Sequence, residues 1–334
     1  MVKVEQWLRS TPSGLVCEPG GFVIDPMVPS DRAVITHGHG DHARPGNRHV
    51  LATADTVAIM QTRFGEQAGG TLQSLAYGEW LTVGDVRLRL APAGHVRGSA
   101  QVLIEYAGTR VVVSGDYKRR PDPTCEPFEV VPCDLFITEA TFGLPIFRHP
   151  DDTGEIRKLL ASIELFPDRT HLIGTYALGK AQRVLALLRR EGWGKPIWLH
   201  GALSPLTDLY RRLGCDFGEL RAATTAPRSD MKGQIVLAPP AAIRDRWSRR
   251  MIDPIHAVAS GWMNVRARAR QAGAELPLVI SDHADWDELV ATISEVGASQ
   301  IWVTHGQEEA LVHYASSRGI ETKALSLVGY EDEE

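Results

Sequence analysis

Cysteine is scarce in this sequence. Cys17, Cys125, Cys133 and Cys215 are four among 334 residues, and no two form a C-x-x-C pair. They read as ordinary thiols of a reducing compartment and not as a disulfide framework. Long apolar runs are missing as well, so no segment is expected to span a bilayer. The opening Met1-Val2-Lys3-Val4-Glu5-Gln6-Trp7 does not have the pattern of a signal peptide. A soluble cytoplasmic protein without membrane attachment is the expectation. There is no internal repeat and no low-complexity tract. Positive charge is not in excess either: the net charge of −5 argues against a general nucleic-acid binder. The distribution qualifies this. From Ser281 to Glu334 there are twelve acidic residues against two basic ones, so the rest of the chain is net positive. Between Arg244 and Arg270 seven arginines stand against Asp245 and Asp253, enough for a local basic surface that could meet phosphates. The acidic end Glu331-Asp332-Glu333-Glu334 is expected to fray.

The length suits two domains or one large domain with an insertion. At 43% hydrophobic residues the chain can build a sizeable core. Its densest chemistry is Thr36-His37-Gly38-His39-Gly40-Asp41-His42, three imidazoles and a carboxylate within six residues. The run Arg32-Ala33-Val34-Ile35-Thr36 before it reads as a short buried strand. The cluster then lies on the loop leaving a strand's C-terminal end, where α/β sheets place their chemistry. His37 and His39, two apart, can point at one metal, and Asp41 with His42 can serve a second.

His37-x-His39-x-Asp41-His42 resembles the metal-binding motif of the metallo-β-lactamase fold. Later segments resemble its nucleic-acid-processing branch, the β-CASP nucleases. Gly21-Phe22-Val23-Ile24-Asp25-Pro26 reads as a strand ending in a carboxylate, and the resemblance makes Asp25 a support of the metal loop. Thr53 caps a helix running to about Phe64. Gly94 and Gly98 flank His95 in a tight turn; in the family this turn carries the third histidine of the first metal site. Residues 101–106 and 110–114 read as a hairpin. Its second strand ends in Ser114-Gly115-Asp116, and beside the histidines Asp116 reads as the carboxylate that would bridge two metals. Asp134 to Phe142 reads as a buried strand containing Glu139-Ala140-Thr141, the acid-x-Thr pattern of the β-CASP branch. Ser281-Asp282-His283-Ala284-Asp285 resembles the second β-CASP motif, and Thr304-His305-Gly306 the third. His49, His149, His171, His200, His256 and His313 lack such context and read as structural or surface residues.

Residues 145–152 look like a linker, and the segment after it alternates helices and short strands. Within it Gly174-Thr175-Tyr176-Ala177-Leu178-Gly179-Lys180-Ala181 matches G-x-x-x-x-G-K of a phosphate-binding loop. Ala181 removes the hydroxyl that would ligate Mg²⁺, and Tyr176, Ala177 and Leu178 are bulky for a cradle. The stretch from Ala177 to Gln182 instead resembles a helix start of the β-CASP insertion. Lys180 at that helix N-terminus is a candidate for a backbone phosphate, as are Arg246, Arg249 and Arg250 from the arginine-rich stretch.

The expected fold is therefore α/β, a four-layer αββα metallo-β-lactamase sandwich built from residues 1–146 and 275–334. An α/β β-CASP domain is inserted over residues 147–274. The resemblance implies two Zn²⁺ per chain, with Mn²⁺ as an alternative. His37, His39, His95 and Asp116 would hold one ion; Asp41, His42, Asp116 and His305 would hold the other. Asp41, Glu139 and His283 would act on protons. The implied activity is a metal-dependent nuclease, most like the bacterial DNA-ligase-associated exonucleases. Nucleic acid is the substrate, DNA favoured over RNA, and a DNA ligase or helicase is the implied partner. The alternatives are an RNA-processing nuclease of the same branch or a metal-stabilised nucleic-acid-binding module.

Overall fold

The structure, a computed structural model, describes residues 3–325; the acidic end 331–334 lies outside the described residues. The chain divides into two compact units. One is the chain up to Arg148 together with the chain from His283 onward, and the other is His149–Asp282.

In the first unit, strands β1 (Leu8–Thr11), β2 (Gly14–Cys17), β3 (Phe22–Ile24), β4 (Arg32–Val34), β5 (His49–Ala52) and β6 (Thr71–Ser74) form one sheet in that order. Helix α1 (Ala54–Phe64) leaves β5 under a Thr53 cap, whose hydroxyl accepts from Thr56 N–H at 3.2 Å. Strands β7 (Trp80–Val83), β8 (Val86–Pro92), β9 (Ala100–Tyr106), β10 (Thr109–Val113) and β11 (Leu135–Ala140) begin a second sheet. The expected hairpin is β9–β10, antiparallel with Tyr106 opposite Thr109.

The second unit carries its own sheet of six parallel strands. In chain order its elements are α2 (Asp152–Leu165), β12 (His171–Gly174), α3 (Lys180–Arg190), β13 (Ile197–Leu199), α4 (Ser204–Arg212), β14 (Leu220–Ala222), β15 (Ile235–Ala238), α5 (Pro240–Arg244), β16 (Ile255–Ala259), α6 (Arg266–Gln271) and β17 (Leu276–Leu278). The spatial order is β14-β13-β15-β12-β16-β17. Strand β17 extends this sheet, pairing with β16 from Ala257–Leu276 to Ala259–Leu278. The unit therefore runs to Asp282 and does not stop at 274. Sequence pattern shows that 276–278 is a strand but not which sheet edge it joins.

The chain returns to the first unit through α7 (Trp286–Val296), β18 (Gln300–Gly306), α8 (Glu308–Ser317) and β19 (Glu321–Ala324). Strands β18 and β19 complete the seven-stranded sheet, in the order β19-β18-β11-β10-β9-β8-β7. Strand alternation explains the layers. Leu15, Ile24, Val34 and Leu51 of the first sheet meet Leu88, Val102, Ile104, Val111, Val113, Leu135 and Ile137 of the second in one buried cluster. On the outer face of the first sheet, Ala33, Val50 and Ala52 pack with Met60 of α1. On the outer face of the second, Leu103, Val112 and Phe136 pack with Leu289 and Ile293 of α7 and Leu311 and Ala315 of α8. The order is helix, sheet, sheet, helix. Strands covered on both faces read as unbroken apolar runs, as Val111-Val112-Val113 does. No helix of the described residues is long and apolar enough to cross a membrane.

Candidate metal centre

The loop after β4 is fixed first by Asp25, at the end of the neighbouring β3. Asp25 is buried, with φ at +43°. Its Oδ1 accepts from Thr36 N–H at 2.8 Å, and its Oδ2 accepts from the Thr36 hydroxyl at 2.6 Å and meets His42 Nδ1 at 2.8 Å. A carboxylate that accepts a hydrogen bond from Nδ1–H leaves Nε2 of His42 as the coordinating atom. The Thr36 hydroxyl, 3.0 Å from His37 Nδ1, was not picked out by sequence reasoning; a hydroxyl at the end of a buried strand was its only signal.

His95 is delivered by the turn after β8. Gly94 holds φ at +73°, and a Cβ there would lie 2.2 Å from the Lys118 carbonyl, so glycine is required. His95 Nε2 reaches His39 Nδ1 at 3.0 Å. Asp116, just past β10, turns one oxygen to three imidazoles. Its Oδ2 lies 3.4 Å from His37 Nε2, 3.4 Å from His42 Nε2 and 3.8 Å from His95 Nε2. His42 Nε2 is also 3.5 Å from Asp41 Oδ2. Among the donor groups that converge within one ion's reach are His37, His39, His95 and Asp116, and His37, Asp41 and His42.

His305 ends β18 with φ at +60°, a conformation that costs a non-glycine residue about 1–3 kcal/mol. Its ring stacks on that of His42, centroids 5.2 Å apart. Gly306 follows at φ +84°, where a Cβ would come within 2.4 Å of the Ala140 carbonyl. His305 thus lies against the second group, but it is not among the donors that converge within one ion's reach in the described residues.

Beside this cluster is a second arrangement. Glu139 on β11 is fully buried. Its Oε1 accepts from Tyr117 N–H at 2.7 Å, and its Oε2 accepts from the Thr141 hydroxyl at 2.5 Å and meets His283 Nδ1 at 3.0 Å. The acid-x-Thr spacing is explained by that hydroxyl. The His283 ring lies 4.6 Å from that of His95. Ala284 N–H donates to the Tyr117 carbonyl at 2.6 Å, which fixes the backbone after His283.

The electrostatics match a cation site. Burial lowers His37 well below the usual imidazole range, and the neighbouring His42 adds to this. Burial also opposes charge on His42, but Asp41, Asp116 and Asp25 outweigh it and raise that group. Burial would raise Asp116, yet the facing imidazoles, His42 first, hold it well below the carboxylate range. His305 is pushed down to about 4 by burial. Glu139 is raised by burial, with His283 opposing and Asp116 adding. His37 Nε2 and Asp41 Oδ1 are buried without a hydrogen bond, an arrangement that costs free energy unless another partner completes it. Imidazole nitrogens and carboxylate oxygens converging with unmet lone pairs fit a Zn²⁺-type cation.

The candidates for nucleic acid fare differently. Lys180 is not available to a phosphate. It is buried, its Nζ pairs with Asp282 and donates to the Ile280 carbonyl at 3.1 Å, and burial lowers it below the usual lysine range. Sequence reasoning placed it at a helix N-terminus correctly but could not see that the helix start is covered. Arg250 is committed as well, donating to the carbonyls of Thr224 and Ala226. Arg246 and Arg249 remain exposed.

No family model matches the chain. A probable DNA ligase of Opitutus terrae is 30% identical over 318 residues, covering 93% of this chain and 30% of that protein. A ribonuclease of Thermus thermophilus is 34% identical over 224 residues, 57% of this chain and 51% of that protein. An endoribonuclease of Gibberella zeae is 36% identical over 160 residues, 46% of this chain and 19% of that protein. The chain thus spans between about a fifth and a half of the length of these relatives. A protein of unknown function from Enterococcus faecalis has a similar fold, with a TM-score of 0.61 over 89% of this chain and 80% of that one at 13% identity. With the sandwich, the inserted unit, the ordered motifs and these relatives together, the chain belongs to the β-CASP branch of the metallo-β-lactamase fold.

Proposed function

We propose that the chain is a metal-dependent nuclease that hydrolyses phosphodiester bonds, a DNA exonuclease acting in repair beside a DNA ligase. The observation that carries the hydrolytic reading is Asp116 Oδ2 facing His37, His42 and His95 at 3.4–3.8 Å, with the Glu139–His283 pair alongside. His37, His39, His95 and Asp116 would hold one divalent cation, and Asp41, His42, Asp116 and His305 the second, Zn²⁺ or Mn²⁺. Bound there, such ions would supply Lewis acidity and a more acidic water for in-line attack on phosphorus. The remaining steps fall to side chains. Asp41 would take the proton of the attacking water. His283, held at Nδ1 by Glu139, would give the Nε2 proton to the leaving oxygen. Association with a ligase is supported by the Opitutus terrae relative, a protein named for that activity that contains a segment matching nearly all of this chain.

RNA cleavage is the second reading, supported by the ribonuclease of Thermus thermophilus at 34% identity. The test is purified protein, its metal content after dialysis, and end-labelled single- and double-stranded DNA and RNA. About two metal equivalents and stepwise shortening of DNA are expected, with metal content falling in His305→Ala. Cleavage of RNA alone would select the second reading. Cleavage that survives chelation would overturn the mechanism.

A further inference from the structure

We propose that Arg63 is a substrate-phosphate residue of the metal loop, fixed to that loop by one donor and offering the others to a phosphate flanking the scissile bond. This rests on the nuclease reading above. Arg63 lies in the last turn of α1 and is exposed. One Nη donates to the carbonyl of Gly38, the residue between His37 and His39. Its Cζ lies 5.1 Å from the centre of the Phe64 ring. Among the described residues that carbonyl is the guanidinium's one hydrogen-bond partner, and it pairs with no carboxylate.

Other arginines of this unit are spent differently. Arg97 pairs with Asp55, Arg120 with Asp285, Arg119 with Glu295 and Arg89 with Glu129. A neutral carbonyl anchors Arg63 without cancelling its charge. The guanidinium is a rigid planar fork with five donors, so fixing one Nη on Gly38 sets the others within a few ångströms of the loop backbone. A second guanidinium touches the same loop from Arg44, whose Nε donates to the Asp41 carbonyl at 3.4 Å. The centre itself is lined by Asp41, Asp116 and Glu139, which repel a polyanion. An uncancelled, pre-positioned fork at its rim suits two-pronged contact with a phosphate.

The test is steady-state cleavage of end-labelled DNA by Arg63→Met and Arg63→Lys over a range of salt, with bound metal measured in parallel. For Arg63→Met, KM should rise about tenfold, the loss expected of one hydrogen bond to a charged group. The slope of log kcat/KM against log salt should flatten by about one, and bound metal should stay the same. Arg63→Lys should recover part of the KM. A nitrophenyl phosphodiester, which has no flanking phosphate, should lose less than DNA. An unchanged KM and salt slope would overturn the proposal while leaving the nuclease reading intact. A fall in bound metal would also overturn it, because Arg63 would then be shaping the loop. If the unaltered protein cuts neither DNA nor RNA, the nuclease reading fails and this one with it.

Discussion

Glu139→Gln separates a proton-donating His283 from a merely nearby one. Glu139 accepts three hydrogen bonds, from Tyr117 N–H at 2.7 Å, the Thr141 hydroxyl at 2.5 Å and His283 Nδ1 at 3.0 Å. Glutamine keeps the shape and offers one oxygen and one NH₂ group. The Tyr117 amide can only donate, so the oxygen must turn to it, and the NH₂ then faces Thr141 and His283, both of which can accept. Neutral His283 is thereby driven to carry its proton on Nε2. It keeps a donor toward the leaving oxygen but loses the charged partner that stabilises the doubly protonated ring. A hydrogen bond to a charged group contributes about 1.5–3 kcal/mol, so DNA cleavage should slow roughly 10- to 150-fold. His283→Ala removes the donor and should cost on the order of 10²–10⁴. The double variant should be no slower than His283→Ala, since the carboxylate works through the imidazole. Rates on DNA and on a nitrophenyl phosphodiester, with bound metal measured for each variant, make the assay. The nitrophenyl substrate should suffer less because its leaving oxygen needs no proton. Metal loss in His283→Ala, equal damage to both substrates, or additive effects in the double variant would each refute the reasoning.

Four further outcomes follow from the second unit. Arg183 is fully buried and reaches Asp152 Oδ2 through Nε at 3.0 Å and Nη2 at 2.7 Å; Arg183→Ala should cost about 3–5 kcal/mol in urea unfolding by stranding the carboxylate. His171 is buried, bonded to the Ser162 hydroxyl at 2.9 Å, and burial depresses it below the usual imidazole value. The unfolded chain therefore takes up a proton near pH 6.5 that the folded one refuses, so the urea midpoint should hold above that pH and fall below it, and the fall should shrink in His171→Gln. Arg246→Ala with Arg249→Ala should flatten the salt dependence of DNA binding if those exposed groups meet phosphates, whereas Lys180→Met should lower stability and leave that slope unchanged.

The legible part of this protein is the part written locally. A strand followed by His-x-His-x-Asp-His carries its own geometry, because glycines let the loop turn and the strand end places it. The structure adds that Asp25, eleven residues before Thr36, sets the loop through three hydrogen bonds. What the sequence could not display was which polar groups would be covered. Lys180 and Arg63 look alike as isolated cations next to helix ends. Lys180 is enclosed with Asp282, where its charge is matched internally, because the chain of the same unit folds back over the start of α3. Arg63 stays outside, at the far end of α1, and among the described residues its one hydrogen-bond partner is a carbonyl. The difference lies in long-range packing, since residues a hundred positions apart decide whether a charge is buried. A search of this sequence for phosphate contacts by motif therefore selects the buried cation, whereas burial and charge balance together select the exposed one beside His37 and His39.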